Sequence, residues 1–161
     1  MEVCILQLKE PGIVVGVSNR HVHLSQEDLE RLFGKGYKLT PTKDLGQPGQ
    51  FACDERVDLV GPKGTIENVR ILGPVRKNSQ VEISRTDSFK LGINAPVRDS
   101  GDVQGTPGIK IKGPNGEIEL AKGVIIAKRH IHMLPSQAEH YGVKDKDLVS
   151  VYCDKEGRRL I

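Results

Sequence analysis

The sequence predicts a mainly β protein, two small β-barrel domains related by a pseudo-repeat and capped by short helices. Three observations carry that expectation. The first is composition. Of 161 residues, 18 are Gly and 9 are Pro, none is Trp and aromatics make up 4%, so a core must come from Val, Ile and Leu in short runs joined by tight turns. The second is a phrase, Arg, His, aliphatic, His, that occurs at 20–23 and 129–132 and takes four of the five histidines. The third is a hairpin pattern, alternating aliphatics on either side of a G-P-x-G turn, at 56–71 and again at 108–120.

In chain order, GIVVGVSNRHVH at 12–23 reads as a strand leading into a short helix. Ser25 suits the N-cap with Asp28 three residues on, Leu29, Leu32 and Phe33 share one helical face, and Gly34 supplies the stop. The hairpin RVDLVGPKGTIENVRI follows, then GPVRKNSQVEISRTD, in which QVEIS is a strand. Residues 90–108, rich in Gly, Pro and Asp, read as a linker or an ordered active-site loop. The second round repeats the parts: hairpin GIKIKGPNGEIEL, strand GVIIAKRHIH, then a helix with Pro135 in its first turn, Leu134 in place of a capping Ser, and Gly142 at the stop. A weaker third hairpin is expected over 148–161 with Lys-Glu-Gly as its turn. The domains so defined are 1–90 and 91–161, and exchange of strands between them stays open. The second round breaks off inside its hairpin, as in a truncated chain, a fragment or a shorter member of its kind.

The formal charge of +3 comes from 24 basic and 21 acidic residues mixed along the chain, the pattern of a solvated surface. With few aromatics for base stacking, this argues against nucleic acid as a partner. No apolar run approaches the roughly 18 residues a membrane span needs, and the first dozen residues lack the plan of a signal peptide. Cys4, Cys53 and Cys153 are odd in number, widely spaced and outside any C-x-x-C pairing, so neither a disulfide framework nor a thiolate zinc knuckle is expected, and a reducing cytoplasm is the simpler setting.

On a strand, residues i and i+2 project from one face, so His21 and His23 point together while Val22 packs the other side, and the same holds for His130 and His132. Imidazoles so spaced can both reach one divalent cation at about 2.1 Å. A lone H-x-H is more often a pair of surface histidines. Its duplication shifts the balance to ligation and to two metals, Zn²⁺ first, with Fe, Co or Mn behind it. Two imidazoles leave a site open, which favours catalysis over stapling. Arg20 and Arg129 should face away from the histidines and serve structurally. Arg76, Lys77 and Arg85 flank QVEIS, where a guanidinium could grip a phosphate-sized anion, although taken alone they read as a solvated face. His140 reads as a surface residue, and by pattern alone Phe89 belongs to the core rather than to a stacking platform. The G-P-x-G segments are turns and lack the following helix of a phosphate loop.

GVSNRHVHLSQEDLERLFG, LTPTKDLGQPGQFA, GPVRKNSQVEISRTDSFKLG, PVRDSGD and GVIIAKRHIHM together resemble the PduL-type phosphotransacylases, or phosphate propanoyltransferases, from Val14 to Ile161. The resemblance implies two β-barrel domains capped by short helices, a dinuclear zinc centre, and transfer of a propanoyl or acetyl group between coenzyme A and inorganic phosphate. By position it implies that His21, His23 and Glu82 hold one metal and that His130 and His132 hold the other. Arg76 would be the essential arginine beside them. Ser18, Lys43, Arg70, Leu72 and Phe89 would line the coenzyme A pocket, with Phe89 stacking on adenine. Family members complete the second site with a histidine from a C-terminal segment, so with Ile161 as the last residue the expectation is a weakly held, differently ligated or missing second metal and impaired activity. A zinc-dependent thioester hydrolase and a non-catalytic metal-stapled β binding module compete with the transferase reading. The cytoplasm is the expected location, with the lumen of a bacterial microcompartment as the alternative. Association as a homo-oligomer or with a microcompartment stays open.

Overall fold

The computed structural model describes residues 19–151, and within them the chain is mainly β with three short helices. The described residues up to His130 fall in one compact unit and those from Ile131 onward in another.

The first unit is organised by one curled, mixed sheet that forms a half-barrel. Its strands are β1 (His21–His23), β2 (Pro41–Asp44), β3 (Phe51–Val60), β4 (Thr65–Gly73), β5 (Gln80–Glu82), β6 (Val97–Arg98), β7 (Ile109–Lys112), β8 (Glu117–Leu120) and β9 (Val124–Ala127). They lie in the order β6-β9-β5-β1-β4-β3-β7-β8, with β2 paired to β3 off that path. β1 is antiparallel to β5 and parallel to β4, while β5 is parallel to β9 and β3 antiparallel to β7. Strands from before and after residue 90 therefore share one sheet.

The register sorts the side chains. Val22 is opposite Ile71 on β4 and Val81 on β5, and all three are completely buried, with Leu24, Leu29, Leu32, Leu59, Ile111 and Val124 in the same core. Each such side chain contributes about 1.5–3 kcal/mol by leaving water. The period of two then sends His21 and His23 to the opposite face of β1.

The helices follow from their caps. α1 (Gln26–Phe33) starts at Ser25, whose side chain accepts from the Asp28 amide, and buries Leu29, Leu32 and Phe33 as the spacing predicts. α2 (Arg85–Leu91) went unread in the sequence, although Ser84 and Asp87 form a capping box and Gly92 closes it in the left-handed conformation. It turns Asp87, Ser88 and Leu91 inward, so Phe89, placed in the core by pattern alone, is 76% exposed. In the second unit, α3 (Pro135–Tyr141) has Pro in its first turn and a left-handed Gly142 at its end, as expected.

Both G-P-x-G hairpins form, β3–β4 and β7–β8, each closed by a bond from the first Gly amide to the last Gly carbonyl, 2.9 Å in both. Each turn also receives a helix end. The Lys63 amide donates to the carbonyl of Leu91 in α2 (3.1 Å), and the Asn115 amide to that of Leu32 in α1 (2.9 Å). These two donors occupy the same position of the two turns and satisfy carbonyls that a helix end leaves without partners. The glycines make room for the approach: a Cβ on Gly61 would sit 2.3 Å from the Leu91 oxygen, and one on Gly113 2.8 Å from that of Leu32. Gly113→Ala should therefore destabilise the fold by about 1–3 kcal/mol, read as a melting temperature lower by roughly 2–12 °C, with helix content retained by circular dichroism.

One sequence expectation changes. β9 ends at Ala127, so His130 and His132 lie beyond the strand and the shared-face argument does not apply to them. The reason is a lack of partners: the ladder to β5 stops at Glu82 with Ile125, and that to β6 at Arg98 with Ala127. The strand expected over residues 12–23 is described only from Asn19. Its earlier part, Ser18, Cys4, Cys153 and most of the third hairpin lie outside the described residues.

Candidate active site

A row of side chains crosses the polar face of the sheet. His21 on β1 is in register with Glu82 on β5 and with Arg70 on β4, and Arg70 is in turn opposite Arg56 on β3. His23 is in register with Gln80. The two imidazoles, 5.0 Å apart and edge to face, and the carboxylate form a buried group whose ligand atoms lie within 4.8 Å of one another.

The tautomers can be read from the partners. His21 Nδ1 donates to the carbonyl of Asn19 at 2.8 Å and His23 Nδ1 to that of Leu72 at 3.2 Å, since a carbonyl only accepts. Both Nε2 atoms then face Glu82, at 3.3 Å from Oε2 for His21 and 3.9 Å from Oε1 for His23. Burial, then repulsion by Arg76 and His21, pushes the His23 imidazole down to about 3, so it is neutral and offers a lone pair. Burial opposes ionisation of Glu82, but the hydrogen bond and charge of His21, the charge that His23 carries only when protonated, and the bond from Ser100 outweigh it and hold the carboxyl at about 2. The Nε2 atoms of both imidazoles therefore converge on an anion. That donor set, two imidazoles anchored through Nδ1 and a carboxylate, fits a divalent cation at the meeting point.

Three residues frame the group. Gln80, 2% exposed, gives its side-chain amide to Glu82 Oε1 (2.7 Å) and to Ser100 Oγ (3.0 Å). The Ser100 hydroxyl donates to Glu82 Oε1 and accepts from Arg76 Nη1, both at 3.1 Å. Arg76 is half-buried. Burial disfavours its charge, and Glu82 works the other way. Its backbone amide is fixed to the Leu24 carbonyl at 2.8 Å, beside β1.

Of the residues expected to line a coenzyme A pocket, Arg70 and Leu72 follow the alternation of β4 onto the histidine face. Arg70 Nη1 donates to the Cys53 carbonyl at 2.8 Å, and the Leu72 carbonyl is the anchor of His23. Lys43 is exposed on β2 and Phe89 is exposed on α2, while Ser18 is outside the described residues. His130, at the end of the first unit, is exposed and holds Nδ1 2.6 Å from the carbonyl of Lys128. This repeats the two-residue reach of His21 to Asn19. His132, in the second unit, is exposed, as are Arg129 and His140. Arg20 makes a two-pronged pair with Asp87 of α2 at 2.8 and 2.9 Å, a structural role.

Sequence reasoning missed Gln80 and Ser100. Gln80 was within reach of the same period of two that joins it to Glu82. Ser100 belongs to a loop, where no period fixes a side chain. A groove of about 530 Å³ between β3, β7 and β8 is lined by none of these residues. Among the described residues no helix is long and apolar enough to cross a membrane.

Residues 14–161 match a family model described as phosphate propanoyltransferase. Similar chains include a phosphate propanoyltransferase of Thermotoga maritima, 70% identical over 160 residues, which span 99% of this chain and 76% of that one. One of Clostridioides difficile is 57% identical over 92% of this chain and 71% of its own length, and one of Salmonella typhimurium 53% identical over 96% and 73%.

Proposed function

This chain belongs to the phosphate propanoyltransferase family, and from that membership we propose that it moves an acetyl or propanoyl group between coenzyme A and phosphate with a cation held by His21, His23 and Glu82. The enzyme is an acyltransferase. The observation that carries the finer reading is the convergence of two imidazole Nε2 atoms and a buried carboxylate with a guanidinium beside them.

Phosphate is a modest nucleophile, and the thioester carbonyl gains negative charge as it becomes tetrahedral. A divalent cation bound at the triad would supply Lewis-acid stabilisation of that charge. The chain's own residues do the rest. Arg76, tethered through one nitrogen to Ser100, presents its remaining N–H groups, which make no hydrogen bond among the described residues, to the phosphate oxygens. A phosphate oxygen held there forms the new bond to the acyl carbon as the carbon–sulfur bond breaks, and the coenzyme A thiolate leaves. Arg70, on the same sheet face as His21, and Lys43 are assigned to the coenzyme's phosphates, Leu72 to its apolar arm and exposed Phe89 to its adenine; Ser18 completes the set. His130 and His132 are assigned to a second cation. The unpaired buried thiol of Cys53 suits the cytoplasm or a microcompartment lumen within it, the chain acting alone or as a homo-oligomer.

Direct transfer is favoured over an acyl-enzyme by the state of Cys53. It is completely buried, and burial, with Glu55 nearby, pushes its thiol up to about 11, so almost no thiolate is present at neutral pH. Release of coenzyme A from propanoyl- or acetyl-coenzyme A should depend on phosphate and yield one acyl phosphate per thiol released. Release at the same rate without phosphate would instead mark a hydrolase. Cys53→Ala should retain turnover within a few-fold, and a quench during single turnover should find no acylated Cys53. Trapping one would overturn direct attack.

A further inference from the structure

The hydroxyl of Ser100 has one proton to give and two lone pairs, and all three are used. The proton goes to Glu82 Oε1 at 3.1 Å, and the lone pairs receive Arg76 Nη1 at 3.1 Å and Gln80 Nε2 at 3.0 Å. Gln80 closes the ring by donating its other N–H to the same Glu82 oxygen at 2.7 Å, and its own carbonyl oxygen accepts the Gly101 amide at 2.8 Å. Gln80 is itself buried, 2% exposed, so the ring is anchored in the sheet at Gln80 and Glu82 and closed from the loop by Ser100. Its partner loop is held independently, with the Asp102 amide bonded to the Asp99 carbonyl at 3.0 Å and the Thr106 amide to that of Val103 at 3.3 Å.

The ring joins two groups with opposite tasks. On one side, Glu82 Oε1 is occupied by two donors, which turns Oε2 toward His21 Nε2 at 3.3 Å and fixes the edge of the carboxylate that faces the lone pairs. On the other, Arg76 is pinned through one nitrogen only, which sets the plane of the guanidinium and the direction of its remaining donors. Without Ser100, nothing else among the described residues hydrogen-bonds the Arg76 side chain.

We propose that Ser100 is a positioning residue that couples cation binding at His21, His23 and Glu82 to phosphate capture by Arg76, through its single hydroxyl. The inference rests on the site reading above, and it adds that the anion and cation subsites are tied through one side chain instead of being independently rigid. Ser100 orients the groups that touch substrate and does not itself react.

Three measurements test it on Ser100→Ala, Ser100→Thr and the unaltered chain. Zinc affinity, read by titration with the metal alone, should fall about tenfold in Ser100→Ala, within the range for outer groups that orient ligands. The KM for phosphate should rise about tenfold while the KM for propanoyl-coenzyme A stays within twofold. Ser100→Thr, which keeps the hydroxyl, should recover both. The melting temperature should hold throughout, because Ser100 lies in an exposed loop. A loss of stability with both KM values rising together would mean a merely structural role and overturn the proposal, as would unchanged zinc affinity and phosphate KM in Ser100→Ala. If the unaltered chain binds zinc and shows phosphate-dependent release, those negative results overturn the coupling alone. If it does neither, both readings fall.

Discussion

Replacing Arg76 with alanine should lower kcat for phosphate-dependent acyl transfer by about 100- to 1000-fold, the range seen when one preorganised donor is removed from a developing charge. The size follows from location. The guanidinium is half-buried beside a carboxylate and two imidazoles, so what it offers phosphate is delivered where water screens little. Its backbone, bonded to Leu24, is independent of the side chain, and the melting temperature should stay near that of the unaltered chain. Arg76→Lys should restore only part of the rate, because an ammonium cannot bridge Ser100 and phosphate with a planar fork. Assay of initial rates at saturating propanoyl-coenzyme A, with phosphate varied, checks both. A kcat within threefold of the unaltered chain in Arg76→Ala would remove the guanidinium from the chemistry.

What could be read in the sequence and what could not divide along a physical line. Local period and local chemistry were legible. The alternation that sends Val22 into the core and His21 and His23 away from it, the Ser25 cap of α1, its Leu29, Leu32 and Phe33 face and the two G-P-x-G turns all rest on residues a few positions apart. The family phrases then supplied Glu82 and Arg76, which no local pattern joins to the histidines. Glu82 meets His21 through an antiparallel pairing across 61 residues of chain, and pairing partners are a global property of the sheet. The same limit hid the exchange by which each hairpin turn closes the end of a helix, Lys63 on Leu91 and Asn115 on Leu32. Extending strand logic to His130 and His132 failed because a strand needs neighbours as well as composition, and β9 loses its own at Ala127. Phe89 failed differently. A helix of seven residues has too little chain for a period to tell an inward ring from an outward one.

Glu82→Gln separates the needs of the cation from the needs of the fold. In the unaltered chain, without a cation, His21 Nε2 and Glu82 Oε2 at 3.3 Å satisfy one another only if a proton sits between them. A glutamine of the same shape keeps the oxygen that accepts from Gln80 and Ser100 and turns an amide N–H toward His21 Nε2, a bond that needs no added proton. The metal-free fold should therefore be as stable as before or more so. The cation loses its only anionic ligand in the triad, and zinc affinity should fall by about 100-fold or more, with acyl transfer falling at least as far. Melting with and without a chelator makes the contrast direct. Ligand bound at about 100 times its dissociation constant adds about 2.7 kcal/mol to the stability of a folded chain, so chelation should lower the melting temperature of the unaltered chain and leave that of Glu82→Gln where it was. Retention of stoichiometric metal by Glu82→Gln after dialysis, with unchanged response to the chelator, would place the cation elsewhere and leave His21 and His23 as a buried hydrogen-bonded pair.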